Sequence, residues 1–321
     1  LEEKRTEDKE EKMKAILEVE HLKKQFGKHT VLPDLSFQVG EQEIVGFLGP
    51  NGSGKSTTLK CVTGLFHPTQ GRVLVGGYDV EKNRKDALSL IGQSIEHPTL
   101  YPELSGREHL KMMANWRGVS KERVKQMEEF SGLGIHLKKP AGRYSMGMKM
   151  RLMLSIALLH QPKLLILDEP TNGLDPDAVF SLREEMKEIR KEGASVLFSS
   201  HQLGEVEKVA DRVILIRQGE KLYDGFLPEQ LRQNVTYALL VSERERAKEL
   251  LQGIESIQLI ESEDSCLHFM AKEKETLAEC LALLTGVNIS IFDVIKEKQD
   301  LESFYKRNAK EWDKDERTVE K

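Results

Sequence analysis

The chain holds 321 residues, enough for about two domains. With 39% hydrophobic and 31% charged residues and a mean hydropathy of -0.46, it has the composition of a folded globular protein, which excludes general disorder. A formal net charge of -5 argues against an electrostatic grip on nucleic acid; no apolar run approaches bilayer-spanning length; and three separated cysteines, Cys61, Cys266 and Cys280, offer no disulfide framework or paired metal spacing.

Residues 1–14, "LEEKRTEDKEEKMK", are nearly all charged and read as a solvated tail without a secretory signal. Met13 opens "MKAILEVEHL" in the manner of a natural start, so the tail is expected to be an expression remnant or a flexible extension. The runs "ILEVEHL", "LSFQV" and "EIVGFLG" alternate apolar and polar residues, or are short and apolar, and predict strands. They lead into "GPNGSGKST", Gly49 to Thr57, followed by a helix over "GKSTTLKCVTGLF". Gly49-x-x-x-x-Gly54-Lys55-Ser56 matches the phosphate-binding loop, with the strand before it and the helix after it that the motif requires. Glycines let the backbone curl so that successive N–H groups point at phosphate oxygens, and the helix N-terminus adds its partial positive charge. On this reading Gly49, Asn51, Gly52, Ser53, Gly54, Lys55, Ser56 and Thr57 cradle the phosphates of a nucleotide, and the loop alone does not separate kinases, GTPases and ATPases. Lys55 reaches the β- and γ-phosphates and the Ser56 hydroxyl binds Mg²⁺.

From Tyr101 to about Leu137 the pattern is helical, over "GREHLKMMANW" and "KERVKQMEEFSGL". A further helix is predicted over "SMGMKMRLMLSIALLH", stopped by Pro162. A buried strand "KLLILDEP", a helix "AVFSLREEMKEIRKEG" and a strand "SVLFSSH" follow, and this β–α–β alternation implies a largely parallel sheet flanked by helices. Asp168, at the end of an apolar strand, can hold Mg²⁺ through water, and Glu169 beside it can polarise a water as general base. Standing alone, two acids at a strand end, a histidine such as His201, or a helix start such as "SMG" would each be ordinary.

After "RVILIRQGEKLYDG" the character changes. Strand "VTYALLV", helix "RERAKELLQG", strands "SIQLI" and "CLHFMA", helix "KETLAECLALLTG" and strand "ISIFDVI" predict the ferredoxin-like βαββαβ order. A last helix is predicted over "QDLESFYKRNAKEW". The boundary falls near Gly225 to Pro228, giving domains at 15–228 and 229–321.

"YSMGMKMR", Tyr144 to Arg151, resembles the signature motif of the ATP-binding cassette (ABC) ATPases, usually written LSGGQ. "NGLDP", Asn172 to Pro176, is similar to the family's D-loop, and His201 looks like its switch histidine. With the phosphate loop and the acidic strand these make five elements in the family's order, and the resemblance spans about Leu17 to Gly225. The wording of "YSMGMK" and "DEPTNGLDP" resembles the bacitracin-resistance and lantibiotic-immunity, drug-export branch.

The resemblance implies an α/β P-loop core with a small antiparallel layer and a helical subdomain. It implies that Phe26 stacks on adenine, which competes with the reading of Phe26 as a plain core aromatic. It gives Ser145 and Gly147 the γ-phosphate of the opposite subunit, Asp175 the partner's phosphate loop, and His201 a γ-phosphate-sensing role beside Lys55 and Glu169. Two departures stand out. Met146 replaces the first signature glycine, and Glu96 aligns with the Q-loop glutamine that joins the Mg²⁺ shell, with Gln93 as the alternative. The function implied is the ATP-hydrolysing subunit of an ABC transporter, exporting or conferring immunity to a peptide antibiotic or similar compound. Its partners would be a transmembrane permease on a separate chain and a second cassette, in an ATP-dependent homodimer or a pseudo-dimer with a related ATPase. Its expected place is cytoplasmic, peripheral at the inner face of the cell membrane, with no nucleic acid bound. The rivals are a soluble ABC ATPase acting on a nucleic-acid or ribosomal partner, and a module that senses ATP without turnover.

Overall fold

The computed structural model describes residues 14–95, 100–226, 235–254, 256–260, 265–271 and 274–297. The charged opening residues before 14 and the predicted last helix, "QDLESFYKRNAKEW", lie outside the described residues. The chain divides into two compact units, Leu1–Phe226 and Leu227–Lys321.

In the first unit β1 (Ala15–Phe26) and β2 (His29–Gly40) form a hairpin, and with β4 (Gln70–Val75) and β5 (Tyr78–Asp79) they make an antiparallel sheet of order β2-β1-β4-β5. A second, six-stranded sheet comprises β3 (Ile44–Leu48), β6 (Ile91–Ser94), β7 (Leu164–Leu167), β8 (Ser195–Ser200), β9 (Arg212–Arg217) and β10 (Glu220–Phe226), in the order β10-β9-β3-β8-β7-β6. Its pairs are parallel except for the β9–β10 hairpin. Every residue of β3, β7 and β8 is buried, as expected of central strands covered on both faces.

The first helix, α1 (Lys55–Val62), sits between the two sheets: its Leu59, Cys61 and Val62 share one core with Leu17, Leu35 and Phe37 of the antiparallel sheet and with Val45, Ile166 and Ile214 of the parallel one. The helix predicted through Phe66 ends at Val62. Gly64, at φ 66°, takes the left-handed conformation, and the N–H groups of Gly64 and Leu65 return to the carbonyls of Cys61 and Lys60, a closed helix end. A short α2 (Arg84–Ser89), together with β4, β5 and β6, was not marked by the sequence pattern.

The helical layer holds α3 (Gly106–Arg117), α4 (Lys121–Phe130), two 3₁₀ turns and α5 (Met146–Ala157). Each of these three helices starts on a serine cap: Ser105 with Glu108 as a reciprocal capping box, then Ser120 and Ser145. Tyr144, buried ahead of α5, donates its hydroxyl to the His136 carbonyl and accepts the Gly106 N–H, which ties the start of α5 to the start of α3. The α5 helix ends at Ala157, short of the predicted stop at Pro162. Then follow α6 (Pro176–Lys191), which buries Leu182, Met186 and Ile189 on one face, and the short α7 (Leu203–Val206).

The second unit has β11 (Val235–Val241), α8 (Arg244–Leu251), β12 (Ile257–Ile260), β13 (Leu267–Ala271), α9 (Lys274–Gly286) and β14 (Ile291–Glu297). Its sheet order is β12-β13-β11-β14 with every neighbouring pair antiparallel, the split βαββαβ arrangement. Tyr237, Leu239, Leu267, Phe269, Cys280 and Leu284 form its own core.

Candidate nucleotide site

The parallel register decides which residues meet. Leu48 pairs with Ser200, and Leu167 pairs with Phe198. One step beyond, the loop after β3, the acids after β7 and the end of β8 emerge at the same edge of the sheet, the carboxyl end where open α/β sheets place their ligands.

The loop Gly49–Gly54 is shaped by its glycines. Gly52 and Gly54 stand at φ 82° and 102°, conformations that L side chains rarely adopt. A Cβ on Gly54 would lie 2.7 Å from Leu32 Cδ2, and one on Gly49 would lie 2.4 Å from the Ile216 carbonyl oxygen. Behind the loop, Gly219 N–H donates to the Ser53 carbonyl at 2.9 Å. Ser53 Oγ is buried without a hydrogen-bond partner among the described residues, and Gly52 has open space beside it. A Cβ on Gly49 would lie 2.5 Å from Ser53 Oγ, so the hydroxyl packs against the loop's own first glycine. Asn51 is exposed, and Ser56 and Thr57 are half-buried in the first turn of α1.

Lys55 is 6% exposed and folds back over its own loop, donating to the carbonyls of Gly49 at 2.7 Å and Pro50 at 3.3 Å. Its Nζ is also 3.4 Å from Glu169 Oε1. The other oxygen, Glu169 Oε2, is 2.8 Å from His201 Nδ1. Lys55 at the start of α1, Glu169 just after β7 and His201 just after β8 therefore form one chain of contacts. Glu169 side-chain exposure is 19% and that of His201 is 41%, so the acid is sheltered while the histidine faces outward.

Asp168 is buried. Its N–H donates to the Ser94 carbonyl at 2.9 Å and its Oδ1 accepts from Ser199 Oγ at 2.6 Å; among the described residues Oδ2 has no hydrogen-bond partner. A carboxylate oxygen and a serine hydroxyl such as that of Ser56 are hard oxygen donors, the chemistry that suits Mg²⁺. Glu169 takes φ 47°, a strained backbone of the kind that gathers at functional sites, and its N–H donates to Ser199 Oγ at 2.8 Å. Ser199 was missed by sequence reasoning; β8 also holds Ser195 and Ser200, so no one serine in it stood out.

The residues of the signature-like segment form a separate group. Ser145 caps α5, accepting the Met148 N–H at 3.3 Å, and is exposed. Asp175 caps α6, accepting the Ala178 N–H at 2.8 Å, and is exposed. The two helix starts touch: a Cβ on Gly147 would be 3.3 Å from Ala178 Cβ, and one on Gly173 would be 3.6 Å from Met146 Cγ. Among the described residues no hydrogen bond or ion pair joins Ser145, Gly147 or Asp175 to Lys55, Glu169 or His201. Phe26 ends β1 and is 44% exposed, edge-on to Phe66 with Lys24 Nζ 4.7 Å from its ring centre, so it is not a core aromatic. Gln93 lies within β6, paired with Ile166. Glu96 lies outside the described residues.

Among the described residues no helix is long and apolar enough to cross a membrane. The ABC transporter family pattern matches residues 32–172. An uncharacterised ABC transporter ATP-binding protein, YdbJ of Bacillus subtilis (strain 168), is 37% identical over 289 residues, covering 89% of this chain and 93% of the relative. The lantibiotic transport ATP-binding protein SrtF of Streptococcus pyogenes is 42% identical over 65% of this chain and 92% of its own. A solved structure described as the ATP-binding subunit of an ABC transporter superposes with a TM-score of 0.63 at 34% identity, covering 68% of this chain and 92% of that one. Matched over nearly its whole length by such a relative, and superposing on a solved ATP-binding subunit, the chain belongs to the ATP-binding proteins of ABC transporters, ATPases coupled to transport.

Proposed function

We propose that this chain binds MgATP on the Gly49–Thr57 loop and hydrolyses it to drive a separate transmembrane permease, in export of or immunity to a peptide antibiotic or similar compound. The carrying observation is the Lys55–Glu169–His201 chain of contacts at one sheet edge. Lys55 leaves the Gly49 carbonyl for the phosphates, Glu169 takes the proton of the attacking water, and His201 orients the Glu169 carboxylate and senses the γ-phosphate. Ser56 and Asp168 would hold Mg²⁺, with Glu96 as a further oxygen donor. When bound, the ion would supply neutralisation of the charge that develops on the transferred phosphoryl group. Phe26, exposed at the end of β1, is the proposed adenine platform.

Ser145, Gly147 and Asp175 stand at helix starts with no hydrogen bond or ion pair to Lys55, Glu169 or His201 among the described residues, which favours a role toward a second cassette's nucleotide, in a head-to-tail homodimer or a pseudo-dimer with a related ATPase. The substrate class follows the lantibiotic transport relative and the wording of "YSMGMK". On this reading residues 15–228 are the working cassette and 229–321 an accessory domain. The chain is peripheral at the cytoplasmic face of the membrane, docked through the Tyr101–Arg117 region and the loop at Glu96. No nucleic-acid partner is invoked. Membrane association that requires the co-expressed permease separates this from a non-transport ATPase.

The test is turnover against binding. Lys55→Ala should lose ATP affinity, and Glu169→Gln should keep it while its turnover falls about 100-fold or more. Wild-type turnover in Glu169→Gln would overturn the assignment.

A further inference from the structure

Ser199 is wholly buried in β8, whose other serines, Ser195 and Ser200, bond single backbone groups. Ser195 Oγ donates to the Gly40 carbonyl, and Ser200 Oγ accepts the Gln202 N–H. Ser199 spends its hydroxyl differently. It donates to Asp168 Oδ1 at 2.6 Å and accepts the Glu169 N–H at 2.8 Å. A hydroxyl is one donor with two lone pairs, and this one uses both capacities on two consecutive acids. The parallel register makes the meeting geometric: with Leu167 opposite Phe198, the next residue of each strand, Asp168 and Ser199, falls on the same face.

We propose that Ser199 is the positioning residue that locks the metal-binding carboxylate of Asp168 and the base Glu169 into one fixed relative geometry; the inference rests on the reading above that Asp168 serves the metal and Glu169 the water. Holding Oδ1 fixes the carboxylate plane and leaves Oδ2 for the cation. Accepting the Glu169 N–H supports a peptide that φ 47° has turned away from the β7 ladder and that would otherwise be left without a partner. From that turned backbone the Glu169 side chain reaches both Lys55 and His201. Alanine at 199 frees the carboxylate and strands the N–H together. Ligand-orienting partners of this kind commonly change metal affinity about 10–100-fold when removed.

The experiment uses the full chain and three measurements: ATP binding in EDTA, Mn²⁺ affinity by electron paramagnetic resonance with a non-hydrolysable ATP analogue bound, and steady-state turnover. Ser199→Ala should bind ATP in EDTA within about twofold of wild type, lose about tenfold or more in Mn²⁺ affinity, and lose more in kcat than in KM. Ser199→Thr keeps the hydroxyl and should recover most of both. The proposal is overturned if Ser199→Ala matches wild type in Mn²⁺ affinity and kcat. It is equally overturned if metal-free ATP binding collapses alongside, which marks a packing residue, or if Ser199→Thr binds metal-free ATP normally yet shows no metal rescue. Asp168→Asn is the reference arm. Wild-type Mn²⁺ affinity there removes Asp168 from the metal site, and the underlying reading fails independently of Ser199.

Discussion

Glu169 and Gly54 illustrate two ways of holding a reactive edge in place. Glu169 takes a left-handed φ because its N–H is secured by Ser199, whereas Gly54 takes φ 102° because it lacks a Cβ that would strike Leu32. Gly54→Ala should therefore cost about 1–3 kcal/mol in urea unfolding and weaken ATP binding more than tenfold in a fluorescent-nucleotide titration; wild-type affinity would show that the loop does not need this conformation. His201→Ala should lower kcat about 10–100-fold with little change in ATP affinity, because the histidine touches the base and not the phosphate loop; loss of affinity with kcat retained would assign it to ATP binding instead. Lys55, Asp168, Glu169 and His201 were legible in the sequence because their motifs fix both residue type and order. Ser199 was not, since its role depends on the register between β7 and β8, which no local pattern encodes. Phe26 was ambiguous because an aromatic at a strand end reads the same whether exposed or buried.

At the scale of elements, buried charge anchors the sheet that carries the site. Glu43, 4% exposed and just before β3, accepts from Arg212 Nε at 2.7 Å and from the Gly40 N–H at 2.8 Å. Arg212, at the start of β9, also pairs with Asp224 and the Gln38 carbonyl. Arg212→Met leaves Glu43 buried without its counter-charge and should destabilise the cassette by about 3–5 kcal/mol, whereas adding Glu43→Gln should recover much of the loss. A single-variant cost near zero in urea unfolding would show that the network contributes little.

His160, after α5, bonds the Ile91 carbonyl at 3.0 Å through Nε2, while its Nδ1 is buried without a hydrogen-bond partner among the described residues. Burial and the nearby Arg117 charge push its pKa down to about 4. Between the ordinary histidine value and 4 the unfolded chain takes up a proton that the folded one refuses, so stability falls as pH drops through that window. After solvent screening the loss should be about 2 kcal/mol, absent in His160→Gln. Identical pH profiles for the two proteins would contradict it. The long, fully apolar strands and the capped helices could be read from their pattern. β4, β5 and β6 could not, being short or partly exposed, and the early end of α1 turns on Gly64 adopting a left-handed conformation that its neighbours do not announce.

For the whole molecule, the second unit has a core of its own and every residue proposed for the nucleotide site lies before it. A chain ending at Pro228 should therefore stay folded and bind ATP with near-wild-type affinity; a folded truncation unable to bind would make the second unit part of the site. Its βαββαβ order was legible because strands and helices alternate in period as well as position, yet that order carries no chemistry of its own. The central claim is that this chain hydrolyses ATP as one half of a head-to-tail pair. Its most direct test is the mass of Glu169→Gln by light scattering with MgATP and with MgADP. The account predicts a shift from the 36.5 kDa monomer to twice that mass with MgATP alone. A monomer in both nucleotides, or hydrolysis at the wild-type rate during the measurement, would contradict it.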